Sequence, residues 1–340
     1  MELVFDIETD GLDATEIHCI VAIDENDNQY TFDIIDDNIL KGLDFLAEAD
    51  KLIGHNIIGF DIPVIKRLHD IDLWDKNKVI DTLVLSRLFN PVREKGHSLK
   101  VWGAKLGVSK DVAPEDFSVY TKDTLKYCIK DVILNKVLFD YLKKESAGFS
   151  KESINLEHYV TYILENQKEN GFKIDIQYAT TLLSELNCKI KQVQEEVHQT
   201  FKPKWIDVKE VKPKLKQDGT LSKSGLTDYE FEDIQSSGNM KPFMRKELVE
   251  FNLGSRKQIG EYLISFGWKP NKFTPTGQPI VDEGTLKNIT HIREAKLIAD
   301  FLLYQKRIAQ ISSWLEAVED DDRVHGSVFS TGAITGRMAH

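Results

Sequence analysis

The chain opens with MELVFDIETDGL, an apolar stretch in which Asp6 and Glu8 alternate with Phe5 and Ile7. A period of two predicts a β-strand, here over residues 2–9, because successive side chains of a strand point to opposite faces. Phe5 and Ile7 would then face a core, and the two carboxylates would share the other face about 7 Å apart. Two negative charges this close repel each other unless water solvates them or a divalent cation lies between them. Mg²⁺ and Mn²⁺ prefer oxygen ligands of this kind.

Residues 1–150 alternate between short apolar strands and amphipathic helices. Besides the first strand, the patterns predict strands at 17–24, 28–34, 51–54 and 79–81 and helices at 39–49, 61–69, 82–89, 99–106 and 121–144. Three early strands followed by alternating strands and helices indicate an α/β domain with a mixed sheet.

The second half of the chain has a different composition. Residues 151–200 have the apolar spacing of long helices, and helical patterns return near 255 and over 283–318. Between them, residues 202–240 are rich in Lys, Pro, Gly and Ser, which is typical of a loop or hairpin excursion. We therefore predict one domain at 1–150, a mainly helical region at 151–322 and the start of a further domain at 323–340.

Charge and cysteine content limit the class of protein. The net charge is −11, of which residues 1–150 contribute −10, so this half suits metal ions and would bind nucleic acid poorly without them. No run approaches the roughly 18 apolar residues of a membrane span, and no leader precedes the first strand. The three cysteines form no metal-binding spacing, which indicates free thiols. We expect a cytoplasmic protein without a membrane partner, acting in the host cytoplasm if it is viral.

Two further stretches carry polar residues that are candidates for catalysis or metal binding. HNIIGFDIPVI places Asn56 before a predicted helix start and Asp61 at it, where an aspartate also serves as a simple cap. LKYCIKDVIL places Tyr127 and Asp131 four residues apart, on one face of a helix. Asp131 lies in an otherwise apolar stretch, so its carboxylate needs a partner, and a metal ion would serve.

The three patterns D-x-E, N-x3-F-D and Y-x3-D follow one another over about 130 residues. Together they resemble the tyrosine branch of the DEDD family of 3′-5′ exonucleases, whose fold is RNase H-like. The resemblance implies two divalent ions, Mg²⁺ or Mn²⁺, about 4 Å apart at the scissile phosphate. It makes Asp6, Glu8, Asp61 and Asp131 the metal ligands and gives Tyr127 the task of orienting the attacking water.

The same resemblance suggests contacts with the substrate. Thr9 and Leu12, directly after the first strand, would touch the terminal nucleotide. Asn56 would donate a hydrogen bond near the substrate. Each of these residue types also has ordinary structural uses in loops.

The rest of the chain is similar to the family A DNA polymerases of the T-seven group of phages. The stretches that carry this resemblance are IDTLVLSRL, SLKVWGAKLG, QKENGFKID, FNLGSRKQIGEYLISFGWKP, FTPTGQPIVDEGTL, LLYQKRIAQISSWL and VHGSVFSTGAITGRMAH. The resemblance implies a helical polymerase thumb followed by the first residues of a palm. Ser255, Arg256 and Lys257 at a helix start, and Arg337 in a TGR motif, would then contact DNA.

The chain departs from that family in two places. It stops at His340, before the palm aspartates and the fingers helix, so we expect a truncated polymerase or one part of a split polymerase with a palm-fingers partner. The phage enzymes carry a long insertion that recruits thioredoxin before the FNLGSR-like motif. The interval Phe201–Phe251 is shorter than such an insertion, which makes thioredoxin binding doubtful. Its lysines would track duplex phosphates or belong to a solvated loop.

Two other functions fit parts of the sequence. A free-standing DEDD exonuclease, acting on DNA or RNA, needs no palm, but it leaves the TPTGQP and TGR stretches without a purpose. A subunit that binds DNA and a palm-fingers partner would keep its DNA binding after removal of Asp6 and Glu8. The leading hypothesis is the proofreading exonuclease and thumb portion of a family A DNA polymerase.

Overall fold

The computed structural model describes residues 1–108, 113–114, 116–333 and 335–340. The chain forms two compact units, the first made of Met1–Lys173 and Arg323–His340 and the second of Ile174–Asp322. Each has a hydrophobic core of its own. The functional domain boundaries predicted at residues 150 and 322 remain predictions.

The first unit is built on a five-stranded mixed sheet with the strand order β3-β2-β1-β4-β5. The strands are β1 (Glu2–Thr9), β2 (Ile17–Asp24), β3 (Gln29–Asp33), β4 (Lys51–Gly54) and β5 (Val79–Asp81). β1 pairs with β2 antiparallel and with β4 parallel, so it lies at the centre of the sheet. This confirms the predicted mixed sheet.

Among the described residues of the first unit, six helices accompany the sheet. They are α1 (Ile39–Ala47), α2 (Asp61–His69), α3 (Thr82–Phe89), α4 (Leu99–Leu106), α5 (Lys122–Glu145) and α6 (Lys151–Asn170). Both faces of the sheet are covered. Phe5 and Ile7 pack in one core cluster, whereas Val4 packs in a second cluster with Trp102 of α4 and Val132 of α5. Because side chains alternate along β1, Asp6 and Glu8 share the face covered by α4 and α5.

The carboxyl-terminal segment returns to the first unit. Strand β6 (Phe172–Lys173) pairs antiparallel with β9 (Arg323–Val324), on either side of the second unit in the chain. Helix α6 packs in the same unit, where Tyr162 stacks on Trp74 with the ring centroids 4.1 Å apart.

The second unit is mainly helical. Its helices are α7 (Ile176–Thr200), α8 (Asp228–Ser237), α9 (Arg256–Ser265), α10 (Glu283–Lys287) and α11 (Arg293–Glu316). α7 and α11 pack together, and Phe201, Phe251 and Tyr262 form an aromatic cluster in its core. β7 (Lys204–Val211) lies in the predicted excursion at 202–240 and pairs antiparallel with β8 (Phe243–Val249), which follows that stretch; this pair is called the β7–β8 hairpin.

Among the residues that the structure describes, every helix is too short or too polar to cross a bilayer.

Candidate active site

A cavity of about 470 Å³ lies where the carboxyl ends of β1 and β4 meet the start of α2 and the middle of α5. We call it the acidic cavity. The residues that line it are Asp6, Ile7, Glu8, Thr9, Gly11, Leu12, His55, Asn56, Phe60, Asp61, Leu99, Phe117, Tyr127 and Asp131. Eight of the predicted site residues therefore line one cavity.

Strand β1 supplies the first two carboxylates. Asp6 and Glu8 are half-buried, and their neighbours Phe5 and Ile7 are fully covered by the core, as the alternation predicted. Beyond them the strand bulges between Glu8 and Thr9, and the buried Thr9 hydroxyl donates a hydrogen bond to the Gly11 carbonyl at 2.8 Å.

Asp61 is the first residue of α2, and its side chain is buried. Its Oδ1 accepts a hydrogen bond from the backbone N–H of Ile7 at 3.2 Å, which ties the helix start to β1 between Asp6 and Glu8. Burial raises the pKa of Asp61 to about 7, and the negative charge of Asp81 adds to the rise, while the Ile7 N–H acts against it. A carboxylate desolvated in this way is stabilised by a cation.

Helix α5 supplies the last two predicted catalytic residues. Tyr127 and Asp131 lie one turn apart, so they face the cavity from the same side of the helix. Asp131 is buried, and the Tyr127 ring makes an edge contact with Phe117, with the centroids 6.0 Å apart.

Asn56 and Leu12 form exposed parts of the cavity wall. Asn56 is exposed and has a φ of +67°, in the left-handed region that few residues other than glycine adopt. Leu12 is 92% exposed. A large apolar side chain this exposed beside carboxylates is free to contact a ligand such as a base.

Sequence reasoning did not identify His55, Phe117 and Cys128 as residues of this site. His55 and Phe117 line the cavity, and the sequence signal for either is only its nearness to Asn56 or to the Tyr127 helix. The buried Cys128 thiol lies 3.8 Å from Oδ2 of Asp6, and ligand atoms of Asp6, Glu8 and Cys128 all lie within 4.8 Å of one another. Burial raises the pKa of this thiol well above its usual range, so Cys128 lies in the site as a neutral neighbour of the acids.

The donor set fits hard divalent cations. Four carboxylates from three separate elements line one cavity, two of them buried, and carboxylate oxygens are the ligands that Mg²⁺ and Mn²⁺ prefer. The arrangement can hold cations beside an oxyanion and, through Tyr127, a water molecule.

The predicted DNA contacts of the second unit lie at the start of α9. Ser255 caps this helix by accepting a hydrogen bond from the Gln258 N–H at 3.3 Å. Arg256 donates to the Val281 carbonyl at 3.1 Å, and Lys257 lies 4.0 Å from Glu261. Arg337 is exposed in the first unit. Their roles remain predictions.

Most of the first unit is similar to one family of known proteins. A family model described as the 3′-5′ exonuclease of DNA polymerase A matches residues 2–147, the part that contains the sheet and all four carboxylates. Residues 2–147 are therefore similar to the exonuclease domain of family A polymerases. Exonuclease domains of this family depend on divalent metal ions, which agrees with the donor set of the acidic cavity.

Two curated relatives extend the likeness along the whole chain. The chain is 27% identical to the DNA-directed DNA polymerase of Enterobacteria phage T3 over 438 residues and 26% identical to that of Escherichia phage T7 over 432 residues. Each alignment covers 99% of this chain and 61% of the relative. The chain thus spans about three fifths of the length of these polymerases.

A solved structure supports the fold of the exonuclease domain and of the helical unit after it. It is the POL domain of Pol1 from M. smegmatis in complex with DNA primer-template and dNTP, with a TM-score of 0.61 and 15% identity. The match covers 99% of this chain and 50% of that one. The fold is therefore that of a DNA polymerase I-type protein, with an RNase H-like exonuclease domain.

Proposed function

We propose that the chain is the proofreading exonuclease and thumb portion of a phage-type family A DNA polymerase. It removes 3′-terminal nucleotides from DNA by hydrolysis with two divalent metal ions. The observation that carries this proposal is the convergence of Asp6, Glu8, Asp61, Tyr127 and Asp131, from β1, α2 and α5, on one cavity in a matched exonuclease domain.

The carboxylates and Tyr127 have separate tasks in this proposal. Asp6, Glu8, Asp61 and Asp131 hold the metal ions, which supply a nucleophilic hydroxide and stabilise charge on the leaving oxygen when they are bound. Asp61 and Asp131 are buried, so a bound cation would offset the desolvation of their charges. Tyr127 offers its hydroxyl to the attacking water and fixes the direction of attack.

The terminal nucleotide lies between the exposed parts of the cavity wall. Leu12 and Phe117 offer apolar surface to a base, and Asn56 and Thr9 offer polar groups to its sugar and phosphate. Single-stranded or unpaired 3′ ends suit such a cavity, because a paired nucleotide would first have to leave its duplex. In the second unit, the α9 start with Ser255 would hold a backbone phosphate.

The test is degradation of a 5′-labelled single-stranded DNA in Mg²⁺ or Mn²⁺, with and without EDTA. The wild type is compared with Asp6→Ala/Glu8→Ala. Asp44→Ala/Glu48→Ala is the matched control, because it removes two exposed carboxylates of the same unit outside the cavity. We expect a metal-dependent ladder that shortens from the 3′ end with wild type and control and is absent with the cavity variant.

An intact label in every lane would overturn the exonuclease proposal. DNA binding that persists in Asp6→Ala/Glu8→Ala would then favour a subunit that holds DNA for a palm-fingers polypeptide. Preference for an RNA strand of the same sequence would favour a free-standing exonuclease instead.

A further inference from the structure

The carboxylate of Asp81 binds two separate segments of backbone. Asp81 ends β5 and is 1% exposed. Its Oδ1 accepts hydrogen bonds from Leu83 N at 2.9 Å and Val84 N at 3.4 Å, as expected for the cap of α3. The same carboxylate also accepts from Asn56 N at 2.9 Å and Ile58 N at 3.1 Å. These last two bonds reach the loop between β4 and α2, which a helix cap does not require.

That loop places two residues of the acidic cavity. It carries Asn56 in a left-handed conformation, and it leads directly into Asp61. It is also tightly wound, since a Cβ added to Gly59 would lie 2.7 Å from Oδ1 of Asn56. A non-glycine residue keeps such a conformation only where its surroundings fix it, and the Asp81 carboxylate provides two of the bonds that do so.

The next residue connects the same loop to α5. The buried Thr82 hydroxyl lies 2.9 Å from Nδ1 of His55, 2.7 Å from Oδ1 of Asn135 and 3.1 Å from the Gly54 carbonyl. Asn135 follows Asp131 by one helical turn. Thr82 therefore links the loop that carries Asn56 to the helix that carries Tyr127 and Asp131.

The buried His158 holds the backbone of Asp81 in place. Nε2 of His158 in α6 accepts a hydrogen bond from the Asp81 backbone N–H at 2.8 Å, and Nδ1 donates to the Ile154 carbonyl at 2.8 Å. Burial lowers the pKa of His158, which keeps the ring neutral and Nε2 able to accept. Helix α6 therefore fixes the backbone of Asp81, and the side chain of Asp81 fixes the loop between β4 and α2.

We propose that Asp81, assisted by Thr82, is a positioning residue of the exonuclease site. It fixes Asn56 and Asp61 in their working places without touching metal or DNA, since it does not line the acidic cavity. This inference rests on the proposed function. Partners that orient metal ligands typically contribute about 10- to 100-fold to metal affinity or activity, which sets the expected effect.

The test compares Asp81→Asn with a matched control, Asp24→Asn. Asp24 is also buried and also accepts backbone N–H bonds, from Asn26 and Asn28 at 2.8 and 2.9 Å. It pairs with Leu3 near the start of β1, whereas the cavity lies near the end of that strand. For each protein we would measure kcat and KM on single-stranded DNA, and Mn²⁺ affinity without DNA by electron paramagnetic resonance.

In Asp81→Asn the amide NH₂ would face a backbone N–H, so at least one loop bond is lost. We expect kcat to fall about 10- to 100-fold and Mn²⁺ to bind about tenfold more weakly, with a smaller rise in KM for DNA because Asn56 is also displaced. Asp24→Asn should match the wild type in all three. Wild-type values for Asp81→Asn, or equal losses in both variants, would overturn the proposal.

Two further outcomes keep the test decisive. If the wild type cleaves no DNA, the proposed function fails, but the Mn²⁺ titration still shows whether Asp81 supports the metal site. If Asp81→Asn does not fold, Thr82→Val removes only the hydroxyl that joins His55 to Asn135. We expect this variant to lower kcat with little change in KM, and an unchanged kcat would count against the proposal.

Discussion

Strands β2 and β7 have the same length and contrasting environments. All eight residues of β2, IHCIVAID, are buried, whereas only Val211 is buried in β7, KWIDVKEV. β2 pairs with a strand on each side, and core clusters cover both its faces; β7 pairs with β8 alone. Trp205 is 67% exposed although it lies in a strand. The environment of a strand, more than its own pattern, decides how much of it is buried.

The contrast extends to charged groups. In the β7–β8 hairpin, Lys246 lies 3.7 Å from Asp207 with both side chains exposed, and ion pairs of this kind contribute little stability. The acidic cavity does the opposite, since Asp61 and Asp131 are buried at a free-energy cost. A free-energy cost of this kind indicates that the two carboxylates are kept for function.

The largest effect should come from Asp6→Ala with Glu8→Ala. We expect nuclease activity to fall at least about a thousandfold, because bound metal ions contribute several kcal/mol to transition-state stabilisation. In EDTA the thermal unfolding midpoint should stay equal or rise, since two repelling carboxylates are removed. Cleavage rates and circular dichroism melts check this. A variant that no longer folds would show that these acids are structural.

Tyr127→Phe should have a smaller effect on the same reaction. It keeps the ring contact with Phe117 and loses only the hydroxyl that positions water, so kcat should fall about 10- to 100-fold. Single-turnover cleavage at saturating Mg²⁺ measures it. A loss as large as that of the double variant would mean that the hydroxyl does more than orient water.

The metal-free protein should lose stability as pH rises. The folded-state pKa of Asp61 is about 7 and its ordinary value is 3.8, so the folded state binds this proton more tightly than the unfolded state. The stability linked to the protonated form is fully present below pH 3.8 and is lost as pH rises through about 7. The expected loss is at least about 1 kcal/mol.

Urea unfolding in EDTA at several pH values between 4 and 8 measures this loss. Asp61→Asn is the comparison, because its amide oxygen still accepts from Ile7 N–H but does not titrate. The free energy of unfolding of wild type should fall relative to that of the variant across this range. Parallel curves would show that burial of Asp61 has no such cost.

Trp205→Ala in the hairpin should have the smallest effect. With the indole largely exposed, the free energy of unfolding should change by about 0.5 kcal/mol or less. Phe5→Ala in β1 is the reference, for which the buried ring predicts a loss of about 3–5 kcal/mol. Chemical denaturation of both variants gives the comparison. A large loss for Trp205→Ala would mean that this side of the hairpin is covered by something in solution.

Local sequence patterns predicted the elements that hold the site. The period of two placed Phe5 and Ile7 in the core and the acids on the opposite face, and the structure confirms both. The spacing in LKYCIKDVIL placed Tyr127 and Asp131 on one side of α5, where they line the cavity. These predictions succeeded because they depend on residues two to four positions apart.

Local sequence patterns could not predict contacts between residues that are far apart in the chain. Cys128 meets Asp6 across 122 positions, and His158 binds the backbone of Asp81 across 77. For Asp81, the sequence predicted only that it ends the strand at 79–81. The pairing of β6 with β9 rests on two residues in each strand, too few to show a period. Such features follow from tertiary packing and have no local signal.

That pairing of β6 with β9 has a consequence for the order of folding. It closes a chain segment of roughly 150 residues, and loop-closure entropy makes this about 2 kcal/mol costlier than closing a ten-residue turn. Two short strands offset little of that cost. A hydrogen bond from Ile174 N–H to the Asp322 carbonyl, at 2.9 Å, joins the two ends of the second unit. During synthesis, folding of residues 174–322 would therefore come before the pairing of β9 with β6.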